Sequence, residues 1–509
     1  MVYLIGAGPG DPGLISVRGM QCLASADVVL HDHLVHPRLL QHARPRAERI
    51  DVGTASPQPL EQQAIGYLLV EKAREGKVVA RLKWGDPFVF DHGGPEALFL
   101  HEQGVIFEVV PGIPAAVAVP SYAGIPVTYP GGGDTLTFIR GHEDESLTAP
   151  QVDWKSLAKI EGTLVCYAGP RQLPAILDRL LASGRAADET AALISDGTLP
   201  TQHTVVATLE ELAAAAHKRR ERRPSILVVG RVAGLREHLR WFDARPLFGR
   251  RIVVTRPHEQ ARELVEPLER LGADTVEAPL VRIVPVDDMT PFDEALAGIE
   301  EFNWAIFTSA NAADLFMDRL LAGPGDVRRL KGVRLCTVGP ATANHLTRFG
   351  LKVDAIPSEF RADAITSALE AHGSLTGMRV LWPRTDKARD VLGDDLRKAG
   401  AEVTEITVYR TELVEPSGEP DVYRMLLDRG IDAVTFTSPS AIKSFVQIYG
   451  ADAAADLLRT TVVASIGPVT AEAGERYGIP STIVATHHTI PGLVEAIAEH
   501  FARIGPRSA

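Results

Sequence analysis

The feature that most restricts the fold is a duplication within the second half of the chain. Phe307-Thr308-Ser309-Ala310-Asn311-Ala312 recurs as Phe436-Thr437-Ser438-Pro439-Ser440-Ala441, and Val338-Gly339-Pro340-Ala341-Thr342-Ala343 recurs as Ile466-Gly467-Pro468-Val469-Thr470-Ala471. Arg256, after the apolar run 252–255, is answered at the same separation by Arg384 after 380–382. Each unit is a buried strand, a small polar turn and an amphipathic helix, a succession that predicts a parallel, doubly wound α/β sheet. The turns place Ser309, Asn311, Ser438 and Ser440 at helix starts, with Thr342 and Thr470 after the Gly-Pro turns. Hydroxyls and unpaired helix N–H groups at such places suit an anion. Taken one at a time, each also reads simply as a helix cap.

The stretch 224–257 reads as the end of one protein and the start of another. A short apolar strand at 225–230 and helical spacing at 235–242 precede a second buried strand at 252–255. The intervening 243–250 carries Pro246 and Gly249 among charged residues, which predicts an exposed boundary. At 509 residues the chain exceeds a single core, and its 45% apolar and 23% charged content is that of a globular protein. The net charge of −12 argues against nucleic-acid binding. The dispersed Cys22, Cys166 and Cys336 suggest buried thiols in a reducing compartment. No signal peptide is read at residues 1–20, and Pro111, Pro114, Pro120 and Pro126 break the uncharged run 109–127, so a membrane span is not expected. A cytoplasmic protein is the expectation.

In the first half, three strand ends run into glycine-rich turns. They are Gly6-Ala7-Gly8-Pro9-Gly10-Asp11-Pro12, the segment VVARLKWGDPFVFD at 78–91 followed by His92 to Glu96, and Val109 to Ala115. The dinucleotide fingerprint fails, because its third Gly would fall on Asp11. Arg81, Lys83, Arg140 and His142 are candidates for the carboxylates of a substrate or, equally, solvated strand-end charges. Asp32, just after the apolar run 28–30, can reach a cleft or cap a turn. The basic run His217 to Arg223 reads as a solvated loop.

GAGPGDP at 6–12, HDHLV around Asp32, RLKWGDPFVF, PGI with Ala115, YAGIP at 122–126, GH at 141–142 and DGTLPTQ at 196–202 follow one family's order. Over nearly all of 1–245 the chain resembles the tetrapyrrole methylases, most closely uroporphyrinogen-III C-methyltransferase. That resemblance implies two α/β lobes, S-adenosyl-L-methionine between them, and a homodimer formed through this half. On matching positions it implies cofactor contacts at Pro9, Gly85, Asp86, Val89, Ala115 and Gly197, with Asp32 as the base. The chain departs from the family at Trp84, where Gly is expected. It departs also at Thr54 (Lys), Pro114 (Thr), Ala168 (Met) and Asp91-His92 (Gly-Arg).

VTRP at 254–257, FTSANA, VGPATA, LWPR at 381–384, VYRT at 408–411, FTSPSA and IGPVTA make residues 250–500 similar to uroporphyrinogen-III synthase. This implies two flavodoxin-like domains, an outer one of about 246–285 and 412–509 and an inserted inner one of about 286–411. The substrate implied is the polyanionic hydroxymethylbilane. Arg256, Ser309, Asn311, Thr342, Arg384, Ser438, Ser440 and Thr470 are the candidate binding residues, and Tyr409 is placed on the departing hydroxyl. Together the halves predict synthesis of uroporphyrinogen III and its methylation to precorrin-2, with no metal, nucleic acid or membrane involved. The alternatives left open are a synthase carrying an inactive methylase, a methylase for a different tetrapyrrole, and a tetrapyrrole-binding sensor without turnover.

Overall fold

The computed structural model describes residues 1–53, 60–141, 150–218, 223, 225–358, 364–386, 391–414 and 421–505. They fall into two compact units, Met1–Ile252 with Pro267–Thr275 and Ile497–Ala509, and Val253–Glu266 with Val276–Ala496.

The first unit carries two five-stranded sheets. Strands β1 (Val2–Gly6), β2 (Val28–His31), β3 (Glu48–Asp51), β4 (Val79–Lys83) and β5 (Phe107–Val110) form a parallel sheet in the order β3-β2-β4-β1-β5. Leu4 packs to one face of β1 with Leu30 and Leu69, and Ile5 to the other with Leu23 and Val29. Both faces are thus covered by helices, as all-parallel sheets require. A second sheet comprises β6 (Leu136–Gly141), β7 (Thr163–Ala168), β8 (Thr190–Ser195), β9 (His203–Thr208) and β10 (Ser225–Val229) in the order β6-β7-β10-β8-β9. Only β6 and β7 run parallel; the remaining neighbours are antiparallel.

The duplicated half forms two more sheets. The chain makes β11 (Arg251–Val254) and β12 (Asp274–Glu277), then builds a whole sheet from β13 (Val281–Pro285), β14 (Trp304–Phe307), β15 (Arg334–Thr337), β16 (Arg379–Thr385) and β17 (Glu402–Leu413). It then completes the earlier sheet with β18 (Ala433–Phe436), β19 (Val462–Ser465) and β20 (Ile483–Val484). The orders are β12-β11-β18-β19-β20 and β13-β17-β16-β14-β15. Strand β14 shows why a duplicated strand-turn-helix folds this way. Ala305 and Phe307 bury against Phe316 and Leu320 on one face, while Trp304 and Ile306 bury against Ile365 and Trp382 on the other.

Three expectations need correction. The second half is not wholly parallel, because β13 pairs antiparallel with the twelve-residue β17 at a sheet edge. The junction at 243–250 is not simply exposed either. Phe242 and Leu247 are buried, the Trp241 indole N–H donates to the Ser121 carbonyl at 2.9 Å, and Arg245 stacks 4.7 Å over the Trp241 ring. Aromatic anchors outweigh the turn-forming Pro246 and Gly249. The helical spacing read at 235–242 is likewise shorter in the structure, a 3₁₀ turn Arg231–Leu235 and a helix Arg236–Leu239.

Candidate functional site

The ends of β1, β4 and β5 in the first unit meet backbone to backbone. A Cβ on Gly6 would lie 2.4 Å from the Cα of Gly112, and one on Gly112 would lie 2.1 Å from the carbonyl oxygen of Gly85. Gly8 and Gly85 exchange backbone hydrogen bonds of 3.2 and 2.8 Å, with Gly85 at φ +69°. These glycines are therefore required by close approach and, at Gly85, by a left-handed backbone. Asp86 fastens the cradle, accepting from the Gly112 N–H at 2.9 Å and the Phe88 N–H at 2.8 Å.

Beside the cradle lies a cavity of about 580 Å³ lined by Asp32, Arg81, Lys83, Trp84, Gly85, Asp86, Val89, Asp91, Ala115 and Tyr167, among others. Its size is that of a small-molecule site. Seven of the residues singled out in the sequence for this half, Asp32, Arg81, Lys83, Gly85, Asp86, Val89 and Ala115, share this wall. Pro9 and Gly197 do not line the cavity, though Pro9 touches its wall through Trp84. The Pro9 carbonyl accepts from the Trp84 indole N–H at 2.9 Å, and next to Gly197 the Thr198 hydroxyl accepts from the Asp11 N–H at 3.0 Å. Arg140 lies outside the wall on β6, exposed; His142 and Thr54 fall outside the described residues.

The expectation that Arg81 and Lys83 bind substrate carboxylates is corrected. Their side chains are 2% and 1% exposed and engaged by the protein's own acids. Arg81 reaches Asp32 at 2.5 Å and Glu96 at 3.3 Å, while Lys83 reaches Asp91 at 3.0 Å and Glu96 at 3.1 Å. Burial alone would push the Asp32 carboxyl up; Arg81, Lys83 and the Trp84 N–H, 3.1 Å away, outweigh it and hold Asp32 below the usual carboxylate range. At Asp91 burial wins, reinforced by Asp32 and only partly offset by Lys83, so its carboxyl is raised. Glu96 and Tyr167 escaped the sequence reading. Glu96 is the first-turn carboxylate of a largely apolar helix, Gly93–Glu102, and the Tyr167 hydroxyl accepts from the Ala116 N–H at 3.2 Å.

Where the family has Gly, Trp84 joins two loops through its backbone and its indole, and the cavity persists with Trp84 on its wall. Pro114 sits at the N-cap of helix Ala115–Tyr122, and Ala168 is buried at the end of β7.

In the second unit the repeated turns have repeated geometry. Ser309 (φ −153°, ψ 151°) caps helix Ala310–Ala322 and Ser438 (φ −161°, ψ 155°) caps helix Pro439–Tyr449. Each hydroxyl accepts from the N–H three residues on, at 3.1 and 3.2 Å. The neighbouring turns are tied alike, Val338 N–H to the Phe307 carbonyl and Ile466 N–H to the Phe436 carbonyl, both 3.0 Å. Ser440 lies 2.8 Å from Ser438, hydroxyl to hydroxyl. The Tyr409 and Ser309 hydroxyls are 3.1 Å apart, with Tyr409 itself buried. Gln260 links Arg256 (3.3 Å) to Asn311 (2.7 Å), so Arg256 and Asn311 belong to one polar chain. Replacing Ser309 or Ser438 by Ala removes matched caps, and each is expected to cost about 1 kcal/mol in denaturant unfolding.

Four candidates are corrected here. Thr342 and Thr470 are 5% and 3% exposed, so first-turn helical positions turn their side chains into protein rather than toward a ligand. Arg384 pairs with Glu405 and stacks 4.9 Å over Trp382, which places its charge on the protein's own carboxylate. Arg256 similarly meets Glu263 at 3.2 Å, and burial lowers its proton affinity.

No helix among the described residues is long and apolar enough to cross a membrane, and no group of three His, Cys, Asp or Glu among them is placed to hold a metal.

A family model for tetrapyrrole (corrin/porphyrin) methylases matches residues 1–213, and one for uroporphyrinogen-III synthase HemD matches 262–495. A porphyrin biosynthesis protein HemD of Ruminiclostridium josui is 35% identical over 98% of this chain and 97% of its own. A uroporphyrinogen-III C-methyltransferase of Bacillus subtilis is 37% identical over 70% of this chain and 73% of its own. An S-adenosyl-L-methionine-dependent uroporphyrinogen III methyltransferase of Methanosarcina barkeri is 43% identical over 47% of this chain and 94% of its own. With a family model on each half and a relative matched almost end to end, the chain belongs to the tetrapyrrole methylases in its first half and to the HemD uroporphyrinogen-III synthases in its second.

Proposed function

We propose that the protein is a bifunctional tetrapyrrole enzyme. Its second half closes hydroxymethylbilane to uroporphyrinogen III with inversion of ring D, and its first half methylates that product to precorrin-2. The observation that carries this reading is the end-to-end match to one relative, with each half matching a different family model. S-adenosyl-L-methionine supplies an electrophilic methyl group when bound. The residues present fit it: a backbone cradle that no side chain could enter borders a cavity of about 580 Å³. Gly85, Asp86, Val89 and Ala115 would hold it, with Pro9 and Gly197 supporting the adjoining loops.

Methyl transfer asks the protein mainly for alignment and the removal of a proton. Asp86 fixes the cradle, and Asp32, pinned by Arg81, holds the Trp84 N–H next to it. In the second half the difficulty is orienting a flexible polyanion, and the matched helix starts at Ser309 and Ser438 present N–H groups for it. Tyr409 would act on the departing hydroxyl through Ser309, its hydrogen-bond partner.

The same proposal divides the chain at 245/246, with an outer lobe of about 246–285 and 412–509 around an inner lobe of about 286–411. Sheet membership supports an inserted inner lobe but starts it at β13 (Val281) instead of 286, since β13 to β17 make one sheet before β18 returns to the other. A homodimer through the first half and a cytoplasmic location complete it, the latter supported by three buried, unbridged cysteines.

Incubation with hydroxymethylbilane and methyl-labelled S-adenosyl-L-methionine is expected to give a dimethylated macrocycle. Accumulation of unmethylated uroporphyrinogen III would remove the first half from the account. The non-inverted isomer, formed by closure without ring inversion, would remove the second. In the same assay Tyr409→Phe is expected to slow ring closure about tenfold through loss of one hydrogen bond, with methylation of supplied uroporphyrinogen III unchanged.

A further inference from the structure

The first unit holds another cavity, of about 780 Å³, which shares no residue with the one beside the glycine cradle. Its wall combines the loop 200–203, Arg223, parts of 240–250 and the end of helix Ile490–Ile504, all within that unit. Four arginines line it, Arg223, Arg240, Arg245 and Arg250, against one acid, Asp243, among the described residues. Arg236 takes up the charge of Asp243, and Asp196 takes up that of Arg223. Arg250 is buried, donating to the Gly505 carbonyl at 2.6 Å and stacking 4.8 Å from the Phe501 ring. Arg240 and Arg245 meet no carboxylate among the described residues.

Arg245 is not a loose surface charge. Its guanidinium lies 4.7 Å from the Trp241 ring and 4.9 Å from the Phe242 ring, and this stacking holds the fork in place without spending its N–H donors. A cavity whose fixed cations outnumber its anions focuses a positive potential, here in a chain of net charge −12. The ligand it suits is an anion that carries several separate charges on one body, because a guanidinium binds each carboxylate through paired N–H groups. A lone phosphate would engage one fork and leave most of the volume to water. Phe248 on the same wall adds an apolar face.

We propose that this cavity is a second tetrapyrrole site, distinct from the methyl-transfer cavity, which takes an octacarboxylate macrocycle with Arg240 and Arg245 on two of its carboxylate arms and Phe248 against a pyrrole ring. The choice of ligand rests on the function proposed above, whose second half releases such a macrocycle. The excess of fixed positive charge stands without it.

The test titrates the full-length protein with uroporphyrin I, a fluorescent and already oxidised octacarboxylate, and compares wild type with Arg240→Glu, Arg240→Lys and Arg245→Ala. Arg240 is exposed, so its two variants are expected to fold normally, whereas Arg245→Ala also removes packing at Trp241. Calorimetric affinity for S-adenosylhomocysteine, which reports on the glycine cradle, is the control for folding. Arg240→Glu is expected to weaken one class of porphyrin site about tenfold or more, as for loss of a hydrogen bond between charged groups. Arg245→Ala should do the same, and Arg240→Lys should keep most of the affinity. High salt should shrink the gap between wild type and Arg240→Glu, because the lost contact is electrostatic. Identical isotherms for wild type and Arg240→Glu would overturn the site. Displacement of the porphyrin from it by an equal concentration of inorganic phosphate would overturn the ligand. A wild type that binds the porphyrin there, yet forms no uroporphyrinogen III from hydroxymethylbilane, would overturn the function proposed above and not the site.

Discussion

Gly112→Ala is expected to abolish S-adenosyl-L-methionine binding and methyl transfer while ring closure proceeds at the wild-type rate. The added Cβ would stand 2.1 Å from the Gly85 carbonyl oxygen and 2.7 Å from the Gly6 Cα. Both obstacles are backbone, and both belong to strand-end turns already tied to each other, so neither can rotate aside as a side chain would. Relief requires the three strand ends to separate. Overpacking of this kind costs about 3 kcal/mol, the upper end of the usual range, and a displacement of roughly 1 Å at a reacting centre costs about 10²-fold in rate. Gly94→Ala is the control. Its Cβ would meet nothing within 4 Å, so stability should change by less than about 0.5 kcal/mol. Calorimetry and methyl incorporation measure both effects. Retained cofactor affinity in Gly112→Ala would show that the cradle is not where the methyl donor binds.

The cradle and the repeat were legible in the sequence for the same physical reason. Glycine directly after a buried strand and a Ser before a helix are local requirements, fixed by backbone geometry within a few residues. Hence the paired serines adopt nearly equal dihedrals at Ser309 and Ser438. Partners across the fold were not legible. Arg81 and Lys83 read as cations offered to a substrate because the sequence displays their charge but not Glu96, which reaches them from a following helix. Nothing in VARLK distinguishes a strand buried throughout, as β4 is, from one whose charged residues face water. The junction misled in the opposite direction. Pro246 and Gly249 announce a turn, whereas its burial depends on contacts such as Trp241 with Ser121, remote in sequence.

The cluster of charges around Arg81 carries the second large effect, on stability rather than turnover. Arg81→Met is expected to destabilise the first unit by about 4 kcal/mol, within the range for breaking a buried ion pair, which is on the order of 10 °C in melting temperature for a unit of this size. Arg81 is 2% exposed and lies between two carboxylates. Without it Asp32, Asp91 and Glu96 share only Lys83, and water cannot replace the lost guanidinium. Removing a second member tests whether charge, and not packing, is responsible. Arg81→Met with Glu96→Leu should recover at least half of the loss, because removing one carboxylate along with the guanidinium returns the cluster to its wild-type excess of a single negative charge. The pH dependence follows from the sign of the shift. Wild-type Asp32 has a lowered folded-state pKa, so its contribution is present above the ordinary aspartate pKa of about 4 and fades as pH falls through the folded value. The variant lacks that contribution, and protonation of its orphaned carboxylates relieves their repulsion. Its deficit should therefore be greatest near neutrality and shrink on acidification. A deficit independent of pH, unrelieved by Glu96→Leu, would mean that Arg81 stabilises the unit through its packing alone.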